Sequence, residues 1–154
     1  MDKGERLDAV VAQACEMIKT PGISCVVIDG EKIVHTADGR GVAPLLDLYG
    51  NHREMLKGAR VVDRVVGKAA AMILILGQAA YAYGDVMSES AQDYLAKRGV
   101  PFSYGVCVDR ISGQDGTGVC PIEASVLSID EPEAGLAAIR HRVAELRGAA
   151  VWGE

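Results

Sequence analysis

The sequence predicts an α/β domain: a three-layer α/β/α sandwich whose mixed sheet opens with an antiparallel hairpin. Three observations carry this prediction. Two β-branched runs, 23–28 and 32–36, flank Asp29-Gly30, a dipeptide suited to the positive φ values of a tight hairpin turn. From residue 59 onward, β-rich runs alternate with helical ones, as strands joined by crossover helices do. The helical run from Lys68 is apolar on nearly every side, so it must be covered all round, as the centre of a sandwich or as an oligomer interface.

Taken in order, Leu7, Val10, Val11, Ala14, Met17 and Ile18 recur at helical spacing, and Pro21-Gly22 ends that first helix. The hairpin follows, then a turn at Asp38-Gly39-Arg40-Gly41 and a helix carrying Leu45, Leu46, Leu48 and Tyr49. A strand is expected over 59–66, a helix over 68–76, a strand over 79–86 and a helix over 88–98. Ser88 stands at the N-cap of that last helix, with Ser90 following, and Gly99 stops it. A short strand is expected within 101–108, then a glycine loop over 113–118, with Pro121 suited to a first helical position. Asp130 is the expected cap of the last helix, with Pro132 in its first turn and Glu133 completing a capping box.

At 154 residues and 49% hydrophobic, the chain can bury a core as one domain over 1–154. It divides into an N-terminal helix (1–20), a core (21–130) and a C-terminal helix (131–147). A net charge of −5 and only 5% aromatic residues argue against nucleic acid, which asks for a basic surface and stacking rings. The charged start of the chain does not resemble a signal peptide, and the longest apolar run, 69–77, is far shorter than the ~20 residues that span a bilayer. A soluble, cytoplasmic protein is therefore expected, with no membrane association. The four cysteines form no CxxC, and neither they nor the histidines have zinc-site spacing, so no metal and no cofactor is assigned. Cys15 and Cys25 read as small core hydrophobes.

Three junctions between strand ends and helix starts carry unusual residues, and ligands gather at such places. At the first, Gly39 and Gly41 allow close backbone approach, and Arg40 stands before a helix start that favours an anion. A plain glycine turn with a solvated arginine accounts for it equally. At the second, Asp63 precedes Gly67-Lys68. A lysine in a first helical turn opposes the helix dipole, so Lys68 is expected to face an anion or to pair with Asp63. A Walker A loop is excluded, because Val62 and Ala69 stand where its first Gly and its Ser/Thr belong. At the third, Asp115-Gly116-Thr117-Gly118 offers a backbone nest, and Cys120 falls at a helix N-terminus, where the dipole favours a thiolate. Glu123 suits a capping role or a general acid/base; Cys120 is equally a simple cap residue, since no histidine is near in sequence.

Together, the hairpin, Asp-Gly-Arg-Gly-x-x-Pro-Leu, Val-Val-Asp-x-Val-Val-Gly-Lys-Ala-Ala-Ala and Asp-Gly-Thr-Gly-x-Cys-Pro-x-Glu resemble a family of small bacterial and archaeal proteins of unknown function, from about Ile23 to Ile139. That family is similar in fold to cytidine deaminases, which implies a cytidine-deaminase-like sandwich here. A deaminase carries His/Cys-x-Glu at the helix after the hairpin and Pro-Cys-x-x-Cys at the next. This chain has Arg40-Gly41-Val42-Ala43-Pro44 and Val66-Gly67-Lys68-Ala69-Ala70 instead. With ligands and catalytic Glu replaced, zinc-dependent deamination is not expected. The resemblance further implies that the Arg40 and Lys68 junctions converge, turning a cation site into an anion site.

The leading expectation is a zinc-independent site for a small anionic or nucleobase-like molecule. Arg40 and Lys68, with Gly41, Gly67 and Ser88, would hold it, Asp63 would orient Lys68, and Asp115, Gly116, Thr117 and Gly118 would bind a carbonyl or phosphate. Cys120 is the candidate nucleophile and Glu123 the candidate acid/base. The rival is a non-catalytic module for ligand sensing or protein association. A homo-oligomer is expected under either.

Overall fold

The computed structural model describes residues 8–112 and 119–152, with side chains as far as Gly148. The first helix, α1 (Ala9–Met17), starts at Asp8, whose carboxylate accepts the Val11 N–H at 3.3 Å and also pairs with Arg60. Strands β1 (Cys25–Asp29) and β2 (Lys32–Ala37) form the expected antiparallel hairpin, with Gly30 at φ +64°. After α2 (Ala43–Asn51) and a short 3-10 turn, the chain alternates through β3 (Arg60–Val66), α3 (Lys68–Leu76), β4 (Tyr81–Ser88), α4 (Glu89–Lys97) and β5 (Phe102–Val108). Two helices close it, α5 (Pro121–Val126) and α6 (Pro132–Trp152).

The five strands make one mixed sheet in the order β2-β1-β3-β4-β5. β1 is antiparallel to both its neighbours, whereas β3, β4 and β5 run parallel. Helix α1 covers one face, burying Val10, Val11, Ala14 and Cys15 against Val26, Ile28, Val62 and Tyr83. The remaining helices lie on the opposite face, around a larger core of Cys25, Val27, Val61 and nearly all of α3. Burying such side chains removes apolar surface from water and supplies most of the folding free energy.

Residues Ala69 to Leu74 of α3 are all buried, enclosed by α2, α4, α5 and α6. The all-round apolarity of this helix therefore reflects a central position within one chain, and it needs no partner subunit to account for it. Helix α6 comes so close that a Cβ on Gly135 would lie 2.3 Å from Met72 Sδ.

The parallel strands share an irregularity. Pairing of β3 with β4 and of β4 with β5 passes over Arg64, Asp85 and Gly105, which stand level across the sheet. Before this line Val61 and Ala82 point into the helical core; after it Val66 and Met87 do, five residues on in each strand. Strict alternation would place an odd-numbered step on the other face, so the phase has slipped by one residue. Val65, Val86 and Val106 consequently turn to the α1 side, where Val65 and Val106 are exposed.

One capping expectation is corrected. Asp130 directs its carboxylate to Lys97, at 2.5 Å, and towards Arg98, while its carbonyl oxygen accepts from the Tyr94 hydroxyl and from Arg98. The C-terminal ends of α4 and the Asp130 turn are fastened by charge, which the local capping pattern could not reveal. No helix among the described residues is long and apolar enough to cross a membrane.

Candidate functional site

Beyond the carboxyl ends of β4 and β5 lies a cleft of about 270 Å³. It is lined by Ser90 at the start of α4, by Asp109, Arg110 and Ile111 leaving β5, and by Val119, Glu123 and Leu127 around α5. This is where an open α/β sheet offers ligands a crevice between loops and helix starts.

Glu123 fixes the wall of this cleft. Its Oε1 accepts the Lys68 N–H at 2.8 Å and its Oε2 accepts the Ala69 N–H at 3.0 Å, so one carboxylate satisfies two free donors at the start of α3. Gly67 makes the approach possible: a Cβ there would stand 2.4 Å from the carboxyl carbon. Burial pushes the Glu123 carboxyl above its ordinary range, and the two N–H bonds and the Lys68 charge pull it back. The helix start that the sequence offered to an external anion is thus occupied by the chain's own carboxylate.

Lys68 turns away from that helix start. Its Nζ donates to the Leu127 carbonyl oxygen at 3.0 Å and stands 5.7 Å from the centre of the Tyr94 ring. Desolvation lowers its pKa, against the pull of Asp130. The expected pairing with Asp63 is not formed. Asp63 lies on β3 opposite Cys25, on the sheet face that carries α3, and is buried; its Oδ1 accepts the Arg64 N–H at 2.8 Å, and its Oδ2 has no partner. Burial, only partly offset by these backbone donors, raises its pKa to about 7. Strand alternation directs Asp63 into the core, while the chain passes through Gly67 before Lys68, so the two charges part.

Ser88 is fully buried and works as a cap: its Oγ accepts the Ala91 N–H at 3.1 Å and lies 3.1 Å from Ser90 Oγ. Ser90 is the hydroxyl that lines the cleft. Cys120 stands at the N-cap of α5, half-buried, with its N–H donated to the Ile111 carbonyl oxygen at 3.0 Å. Among the described residues its thiol has no hydrogen-bond partner. Arg40 and Gly41 form the turn before α2, with Gly41 at φ +53°, and do not line this cleft. Asp115, Gly116, Thr117 and Gly118 lie outside the described residues.

Sequence reasoning missed Asp109, Arg110 and Leu127. Asp109-Arg110 follows directly on the segment 101–108, within which a short strand is expected, and a charged pair just beyond it was the available signal. Among the described residues no group of three or more His, Cys, Asp or Glu is placed to hold a metal ion.

A family model described as a domain of unknown function, DUF1893 (TM1506), matches residues 13–143. Among solved structures, the chain is similar to the DUF1893 family protein TM1506 from Thermotoga maritima. The two are 25% identical, the match covers 94% of this chain and 96% of that one, and the TM-score is 0.76. No curated protein matches the chain.

Proposed function

The chain belongs to the DUF1893 family, and from that premise we propose that its cleft is a zinc-independent site for a small anionic or nucleobase-like molecule, carried on a cytidine-deaminase-like scaffold. The observation that supports this most is the cleft's position and lining: a crevice beyond parallel strands, with Arg110 as a cation, Ser90 and Asp109 as hydrogen-bonding groups, and Ile111, Val119 and Leu127 as an apolar wall. In this reading Arg110 holds the negative group and Asp109 accepts from a ring or amide N–H. Lys68 steadies the Leu127 end of α5 and adds positive charge nearby. Glu123 anchors α5 on α3, since both of its oxygens already accept backbone donors. Cys120 adjoins the lining residue Val119 and is the candidate nucleophile. The four loop residues 115–118 stay within the proposed ligand shell, whereas Arg40 and Gly41, which do not line the cleft, are left out of it.

Orotate, a nucleobase-like anion, is a suitable probe. Titration followed by amide chemical shifts should move Ser90, Asp109 and Leu127, and R110Q and K68M should weaken binding while leaving the fold unchanged. Shifts elsewhere only, or affinity unaffected in both variants, would overturn the assignment. Alkylation of C120S beside the parent chain would then separate an activated thiol from an ordinary one.

A second reading, a module for self-association, is favoured by a different observation. The edge strand β5 carries no charged residue from Phe102 to Val108, and Tyr104 and Val106 are exposed on it. Sedimentation velocity tests it: a monomer at every loading concentration would rule it out.

A further inference from the structure

We infer that a second groove, between α2 and α6 and independent of the cleft above, binds a small amphipathic anion. Both helices pack on α3, and the space left between them is a groove of about 280 Å³. Ala43 and Leu46 of α2 and Val143 and Ala144 of α6 give it an apolar lining. Arg140 and Arg147 lie seven residues apart on α6, so they share one face at a separation of ~10 Å. Neither guanidinium meets a carboxylate among the described residues, although Arg142 between them pairs with Glu145. Asp47 is the groove's one acidic lining residue, and its Oδ1 is engaged by Asn51 Nδ2 at 2.7 Å.

The groove is therefore locally cationic on a chain whose net charge is −5. Two forked guanidiniums along its α6 wall match the oxygens of a phosphate or carboxylate, and they do so better than ammonium groups would, because the fork is planar and fixed. The apolar lining between them accepts a short hydrocarbon body, and burying it adds affinity that an inorganic ion cannot gain. The fitting ligand carries one anionic head and a compact apolar portion. A neutral apolar compound leaves the arginines unanswered, and a bare anion leaves the lining wet.

Hexyl phosphate, inorganic phosphate and 1-hexanol separate these contributions when titrated into the full chain and followed by methyl resonances. Hexyl phosphate should shift Leu46 and Val143 and bind roughly tenfold or more tightly than either other probe. The exposed pair R140Q/R147Q should lose roughly tenfold or more of that affinity, as removal of charge-assisted hydrogen bonds does. A144W, which fills the groove while keeping both arginines, should also abolish the Leu46 and Val143 shifts. Equal binding of hexyl phosphate by the parent chain and R140Q/R147Q would overturn the inference, as would inorganic phosphate binding as tightly as hexyl phosphate. Circular dichroism of each variant confirms the fold against which the loss is read.

Discussion

Replacing Asp63 by Asn should make the protein more stable above neutral pH and remove a pH dependence that the parent chain shows. Asp63 is buried in β3 with one oxygen lacking any partner, and burial lifts its pKa from 3.8 to about 7. The unfolded chain releases this proton near pH 4, whereas the folded chain keeps it until about pH 7. Between those values the folded state binds the extra proton, so stability falls as pH rises. About three pKa units at ~1.4 kcal/mol each give a loss of about 4 kcal/mol across that window, complete above it. Against a total stability of ~5–15 kcal/mol this is a large term. Asn is isosteric, neutral throughout, and retains an oxygen to accept the Arg64 N–H. Its NH2 meets no acceptor where Oδ2 has no partner, which costs about 1–3 kcal/mol at every pH. Calorimetry of both proteins at pH 5, 6, 7 and 8 reads the difference. About two of those three units fall between pH 5 and 8, so the variant should start level with or below the parent at pH 5 and gain on it by about 5–11 °C in Tm by pH 8. Glu123, also raised by burial, shares the sign of Asp63, and Asp8 and Asp130, lowered by Arg60 and Lys97, oppose it; all three are common to both proteins and cancel. A Tm gap that stays constant from pH 5 to 8 would refute the reasoning.

Other outcomes follow from named contacts. Gly67→Ala should displace the Glu123 carboxylate from α3 and cost about 2–4 kcal/mol by urea denaturation, two charge-assisted bonds being lost. In an E123A background the same change should cost far less, and full additivity in that cycle would show that the contact is not shared. Gly135→Ala, which inside an ordinary helix stabilises by about 0.5–1 kcal/mol, should here destabilise by about 1–3 kcal/mol, because Met72 is fully buried and must repack. D130N should lower Tm only slightly, and the difference should vanish at high salt, since Lys97 and Asp130 are both exposed.

Local chemistry is what the sequence displays well. Asp29-Gly30 announced its hairpin, Ser88 its cap, and the unbroken apolarity of 69–76 its central helix, because each follows from neighbours within a few residues. The partner of the α3 start was not legible, since Glu123 reaches it across 55 residues and a carboxylate there looks like any other first-turn acid. Asp63 misled for a related reason: five residues from Lys68 in sequence, it belongs to a strand whose alternation sends it into the core. Arg110 was overlooked because a charged residue after a strand is usually a solvated loop residue, and only the arrangement of α4 and α5 around it makes a cleft.

The shared slip at Arg64, Asp85 and Gly105 divides each parallel strand into two zones with opposite rules for substitution. Val65 and Val66 are chain neighbours of the same type, yet a lysine at Val65 meets water and one at Val66 meets the core. Because the three strands change phase at the same level, an insertion or deletion confined to one of them would set its outer half out of step with both neighbours. Variation in length is thereby pushed out of the sheet and into the loops beyond it, which are the segments that form the cleft.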